Sequence, residues 1–254
     1  MQNWKHKTTL FITVCLLGLS PAVVSAQEAP YIKYEPSVAN RILDRAYRYV
    51  GSLNSFVFEA ITINDDLVDG KILAEVKHSE IVSVERPGNL FIDVAGDSKN
   101  RRMTLHKGLF TMWDKKKNYY GQIKTPKSID DTLDYIFDRY DIKTPLANIL
   151  YSNVAERLDP KTKGYYFGIR NVGRTPCDYI GFSNKKEELQ MWIARGDKPL
   201  IRKFIIIDKT GKREMRSTTI LRWHSKKLLT SEQYRFRAPR GAIKVDIETP
   251  EGRD

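Results

Sequence analysis

The chain has almost no cysteine. Only Cys15 and Cys177 are present, and Cys15 lies inside an apolar leader. The one cysteine left cannot close an intramolecular disulfide, so a disulfide-stapled scaffold is excluded and a buried core must carry stability. Cys177 is expected as a small buried hydrophobe rather than a reactive thiol or metal ligand. Long apolar runs are scarce too. Beyond the leader, nothing approaches the roughly 20 apolar residues that cross a bilayer as a helix. Catalytic signatures are missing. His78, His106 and His224 stand at no metal-ligand spacing, and there is no His-Glu-x-x-His. There is no Gly-x-Ser-x-Gly elbow and no Gly-x-x-x-x-Gly-Lys phosphate loop. Ser183-Asn184-Lys185-Lys186 fits Ser-x-x-Lys, but in a polar turn instead of at the head of a buried helix. The expectation is therefore a non-enzyme with no cofactor and no metal. A hydrolase with a non-local site would need a cleft that brings one of the histidines beside an acid or a serine.

What is present begins with the leader. Lys5, His6 and Lys7 precede an apolar run from Leu10 to Leu19, followed by Pro21 and the small-residue site Val24-Ser25-Ala26. That is the layout of a secretory signal peptide, cleaved after about Ala26. Bulky Val14 before Cys15, and apolar sequence after it, argue against lipoprotein cleavage. Export to the periplasm follows, leaving residues 27–254 as a single domain. Removing 26 residues from 254 leaves 228, a normal size for a β-sandwich or barrel of about 200–250 residues. The net charge of +12 includes Lys5 and Lys7, so +10 remains without the leader. For an exported protein this points to anionic membrane surfaces and away from nucleic acid. The basic groups are spread, as at Arg101-Arg102, Lys115-Lys116-Lys117, Lys185-Lys186 and Lys226-Lys227, which also suits plain solubility.

Periodicity then sets the architecture. Ser37 can cap a helix to about Leu53, with Val38, Ile42, Ala46, Val50 and Leu53 on one face. Strands are expected at Ser55–Asn64, Lys71–Glu85, Asn89–Ala95, Arg101–His106, Leu109–Trp113 and Tyr119–Lys124. Asp69-Gly70 and Lys107-Gly108 mark tight turns. Ser128 with Asp130 and Asp131 opens a helix whose apolar face is Leu133, Ile136, Phe137 and Tyr140. A shorter helix begins at Thr144-Pro145. Asp130, Asp134 and Asp138 fall on one face, read as helix-start residues and a solvated side. Strands resume at Gly164–Val172, Asp178–Phe182, Leu189–Ala194, Leu200–Asp208 and Glu214–Trp223, with a last one near Ala242–Glu248. Short connections argue an antiparallel meander. The fold class is mainly β (α+β): a strongly curled antiparallel half-barrel of about 11 strands. Its N-terminal helix and helical insert cap the concave face.

An ordered series of local features carries a resemblance. It comprises Arg86-Pro87, Trp113-Asp114 with Asn118-Tyr119-Tyr120, Ile129-Asp130-Asp131-Thr132-Leu133-Asp134 and Pro145-Leu146-Ala147-Asn148. Gly173 with Cys177-Asp178, Gln190-Met191-Trp192-Ile193, Pro199-Leu200-Ile201-Arg202-Lys203, Trp223, and Phe236 with Pro239 and Gly241-Ala242 complete it. The chain resembles an uncharacterised family of predicted periplasmic proteins, related in fold to the LolA and LppX type of lipoprotein and lipid carriers. The resemblance implies a half-open barrel with an apolar cavity for acyl chains. Expected partners are thus a lipid or an acylated protein, with transient contact to an anionic membrane surface. Candidate cavity residues are Phe56, Phe58, Ile92, Val94, Met103 and Leu105. Leu133, Ile136, Phe137, Leu146 and Ile149 are the candidate lid. Which strand parity faces inward stays open, because several strands are apolar on both faces. The alternative function is an envelope interaction or regulatory module with a filled core and an exposed apolar patch.

Overall fold

The computed structural model describes residues 36–142, 146–153, 156, 163–224 and 230–250. The leader with its cleavage site, the helix start at Thr144-Pro145 and the Lys226-Lys227 pair lie outside the described residues.

Helix α1 (Pro36–Ser52) precedes six strands: β1 (Ser55–Val68), β2 (Ile72–Glu85), β3 (Asn89–Gly96), β4 (Asn100–His106), β5 (Leu109–Asp114) and β6 (Tyr119–Lys124). Helices α2 (Ile129–Tyr140) and α3 (Ala147–Leu150) follow. Five more strands make a second meander: β7 (Lys163–Val172), β8 (Thr175–Ser183), β9 (Glu187–Ala194), β10 (Ile201–Asp208) and β11 (Met215–His224). A 3-10 turn (Ser231–Tyr234) and the short β12 (Ile243–Lys244) end the described chain.

All strands join one sheet in the order β12-β6-β5-β4-β3-β2-β1-β11-β10-β9-β8-β7. The two meanders meet where β1 pairs antiparallel with β11, Phe58 opposite Trp223 and Thr62 opposite Thr219. The expected strongly curled half-barrel of about 11 strands is corrected to an open sheet of twelve. The two outer strands, β12 and β7, stand at opposite ends of the order. Strand number alone does not force closure, because a large sheet stays open when other elements cover its faces. The unforeseen arrangement is at β12, which pairs in parallel with β6, Ile243 beside Tyr119.

Local chemistry explains the junctions. Asp69 and Gly70 both have positive φ, as do Lys107 and Gly108, the geometry that tight hairpin turns demand. The Ser128 hydroxyl accepts from the Asp131 amide at the start of α2, a side-chain N-cap. Helix α1 buries Ala39, Leu43, Ala46, Tyr47 and Val50. Ala46 and Val50 of the expected stripe are buried as read, but the stripe is centred on Leu43 and Tyr47, which carry the large apolar areas, while Ile42 and Leu53 only flank the core.

Alternation fixes the two faces of the sheet. Phe56, Phe58 and Ala60 share a side with Val82, Val84, Leu90, Ile92 and Val94 across the register. Leu221, Phe204, Met191 and Ile180 continue that side through the second meander. Together with residues of all three helices they form one apolar cluster. We call this the inner face. Helix α1 packs against β7, β8 and β9 and against α3, and α3 packs against α2.

Candidate ligand-binding face

The inner face is apolar at its centre and polar toward one end. At the centre, the Phe56 and Phe58 rings stack 6.2 Å apart, and Trp223 lies 5.0 Å from Phe58. The Trp223 indole N–H donates to the Ile201 carbonyl at 2.7 Å, so even this ring presents a hydrocarbon surface. Leu105, Phe110, Ile123, Ile129, Leu146 and Leu150 extend the apolar lining, all buried.

Further along β1 the same parity brings Thr62, opposite His78 on β2 and Thr219 on β11. The Thr62 and Thr219 hydroxyls are 3.0 Å apart. His78 Nε2 stands 3.1 Å from Glu80 Oε1, with both side chains almost fully buried. Ser217, next on this side of β11, has a buried hydroxyl with no hydrogen-bond partner among the described residues. Burying polar groups is costly unless they are paired, so this end is organised around hydrogen bonding within an otherwise hydrocarbon surface.

A second polar feature ties the helical cover to the sheet. Arg86, at the end of β2, donates from Nε to the Leu53 carbonyl at 3.2 Å and lies over the Phe56 ring at 5.7 Å. Its guanidinium is 3.6 Å from Asp130 of α2. Burial pushes the Arg86 pKa down, and Asp130 opposes that shift. One terminal nitrogen is buried with no hydrogen-bond partner among the described residues. Asp130 also accepts from the Ser152 amide and hydroxyl, and Asp134 accepts from the Tyr151 hydroxyl at 2.8 Å. The acid row on α2 is thus no mere solvated side: two of its three members fasten α2 to the segment after α3.

Of the eleven residues singled out from sequence, Phe56, Phe58, Ile92, Val94, Leu105, Leu133, Ile136, Leu146 and Ile149 are buried in the one cluster, and Met103 packs against it. Phe137 is not brought there; it is 45% exposed, one step around the helix from Leu133 and Ile136. Missed in the sequence were Thr62, His78, Glu80 and Thr219. Their i, i+2 spacing placed His78 and Glu80 on one face, but apolar neighbours on both sides hid which face was covered. His224 also meets a glutamate, Glu59, at 3.1 Å, on the outer face. Neither histidine is hydrogen-bonded to a serine among the described residues. No group of three or more His, Cys, Asp or Glu side chains able to hold a metal occurs among the described residues.

No curated protein matches the chain. Among solved structures, LprF from Mycobacterium bovis shares 11% identity with a TM-score of 0.46, covering 83% of this chain and 100% of its own. The Mycobacterium tuberculosis lipoprotein LppX shares 9% at a TM-score of 0.40, over 76% of this chain and 98% of its own. A LolA superfamily protein from Nitrosomonas europaea shares 10% at a TM-score of 0.36, over 75% and 94% respectively. Residues 39–248 match a family described as "Predicted periplasmic protein (DUF2092)", and the periplasm is the location that the leader indicates. The chain therefore belongs to the DUF2092 family of predicted periplasmic proteins.

Proposed function

We propose that the protein is a non-catalytic periplasmic carrier or sensor that binds a lipid, the acyl chains of a lipoprotein, or another apolar ligand. The site is its inner face, beneath the helices. One observation carries this reading: the inner face is a continuous hydrocarbon surface across both meanders that turns polar at Thr62, His78, Glu80 and Thr219. An amphiphile has the same gradient. Its chains would displace side chains of α2 and α3 from Phe58, Ile92 and Leu105, and its polar end would meet the hydrogen-bonding groups. Leu133, Ile136, Leu146 and Ile149 would then form the underside of a lid that lifts with its connecting segments.

Trp223 offers a direct test, because it faces inward while Trp113 and Trp192 belong to the opposite parity. In a Trp113→Phe/Trp192→Phe variant of the exported protein, brominated fatty acid or phospholipid should quench Trp223 fluorescence saturably. Absence of quenching at any lipid concentration would refute binding against this face.

A second reading, an interaction or regulatory module, has its own support. The β1–β2 hairpin runs past its neighbours: β11 pairs with β1 only as far as Asn64, and β3 with β2 only from His78. The projecting tip exposes Leu67, Val68, Ile72 and Leu73. If Trp223 is not quenched, this tip becomes the surface to follow.

A further inference from the structure

The outer face of the first meander is crossed by the C-terminal segment, which is anchored at successive points. Tyr234 is fully buried, and its hydroxyl lies 2.8 Å from the buried Ser83 hydroxyl. The Phe236 ring packs 5.1 Å from Tyr120 and 6.2 Å from Trp113. Asn118 Nδ2 donates to the Arg240 carbonyl at 3.3 Å, and the Ile243 and Val245 amides donate to the carbonyls of Asn118 and Tyr120. Past β12 the segment turns around the β6 edge, and Ile247 packs on the inner side against Gly121, where a side chain would collide with it. The segment is a fixed strap, not a loose tail.

Between strap and sheet lies a cleft of about 480 Å³, lined by Phe91, Arg102, Thr104, Glu232, Gln233, Arg235, Phe236 and Arg237. Three of the eight lining residues are arginines. Arg102 is held in place: its Nε donates to Asp93 Oδ1 at 2.8 Å, and its guanidinium lies 5.1 Å from the Phe91 ring and 5.6 Å from the Trp113 ring. Asp93 is shared with Lys115 at 3.1 Å. Among the described residues, no hydrogen bond engages the terminal nitrogens of Arg102. The Arg235 amide caps the 3-10 turn by donating to the Glu232 carbonyl, but its guanidinium makes no hydrogen bond or ion pair among the described residues, and the Arg237 guanidinium meets only Glu232, at 3.5 Å in an exposed pair. Three guanidiniums around one small cleft repel each other, and only two acids, Glu232 and Asp93, stand against them and Lys115. An oxyanion relieves that repulsion, and the planar fork of arginine is shaped to grip one.

We propose that this cleft binds a phosphoryl group, as a free phosphate ester or as the head group of a membrane lipid. The Arg102 fork is the preorganised donor, Arg235 and Arg237 close over the anion, and the Phe91 and Phe236 rings bound the remainder of the ligand. This rests on the outer face alone and stands or falls independently of apolar binding inside.

The test uses protein purified from the periplasm of cells making the full chain. Inorganic phosphate and pyrophosphate are titrated calorimetrically. Flotation is measured with phosphatidylcholine vesicles with and without phosphatidic acid. Arg235→Gln/Arg237→Gln is the test variant, and Lys185→Gln/Lys186→Gln, in a distant exposed turn, is the control for general basicity. One-site binding of a soluble phosphate, weakened about tenfold or more by the arginine variant alone, supports the site with a free ester as ligand. Flotation only with phosphatidic acid, lost in the same variant, supports it with a lipid head group. If neither probe binds, or if the lysine variant weakens binding as much as the arginine variant does, the proposal is wrong. Circular dichroism and thermal melting of both variants exclude misfolding as the cause of any loss.

Discussion

The two faces of the sheet are finished by different means. The inner face gathers its apolar residues from both meanders into one cluster and spends all three helices on covering it. The outer face is divided. Over β2–β6 it is crossed by the strap of Tyr234 and Phe236. Over β7–β10 it carries a small cluster of Cys177, Trp192, Ile205 and Ile207. There Tyr179 stacks on Trp192 at 4.2 Å, and Lys203 lies over the Trp192 ring at 4.5 Å, so long amphipathic side chains do the covering. Between the two, Ile61, Ile81 and Ile220 stay exposed. A large sheet thus keeps both faces occupied without closing, but only one face is a continuous hydrocarbon surface. That is the physical reason to look for an apolar ligand on that side and for polar or charged partners on the other.

The comparison breaks if large apolar residues on the two faces matter equally. Phe58→Ala removes a fully buried inner ring and should cost about 3–5 kcal/mol. Ile220→Ala, on the exposed outer side, should change stability by about 0.5 kcal/mol at most. Urea unfolding of both variants measures the contrast, and similar losses would mean that the two faces carry the fold alike. A finer probe is the strap. Tyr234→Phe keeps the ring and deletes only the hydroxyl that meets Ser83, so a loss of about 0.5–1.5 kcal/mol is expected. Hydrogen exchange should quicken at the Ile243 and Val245 amides while the inner strands keep their protection; faster exchange on β1 instead would show that the strap supports the inner face as well.

The smallest effect lies at the β5–β6 turn. The Lys117 amide, followed by that of Lys116, holds the Asp114 carboxyl below the usual carboxylate range. A depressed folded pKa contributes stability above the ordinary value near about 3.9, lost as pH falls through the folded value. The residue is only half-buried, so solvent screening keeps the contribution slight. Asp114→Asn should leave neutral-pH stability nearly unchanged and flatten the acid limb of the stability curve. Direct titration of the carboxyl by NMR would contradict this if it showed no depression.

Much of the fold was legible in the sequence because local chemistry decides it. The Asp69-Gly70 and Lys107-Gly108 turns, the Ser128 cap and the alternating strands need no distant partner to form. What could not be read depends on register. Strand β10 is apolar on both sides: Phe204 and Ile206 face inward, Ile205 and Ile207 outward, and only its pairing through β11 to β1 assigns the sides. The same ambiguity concealed the buried His78–Glu80 pair. The strap escaped notice because residues 230–250 are mostly irregular, with two aromatic anchors and no repeating pattern. The buried stripe of α2 was legible where helical spacing held, as at Leu133 and Ile136, and the reading failed at Phe137, which lies just beyond that stripe.

The central claim is that the inner face takes an apolar ligand, and native mass spectrometry tests it most directly. The protein is purified without detergent from the periplasm of its own host, then weighed intact and extracted with organic solvent. The account predicts a discrete added mass that leaves as lipid on extraction. A clean protein mass, with no uptake of offered fatty acid or phospholipid, would contradict it and leave the inner face as a core that serves only the fold.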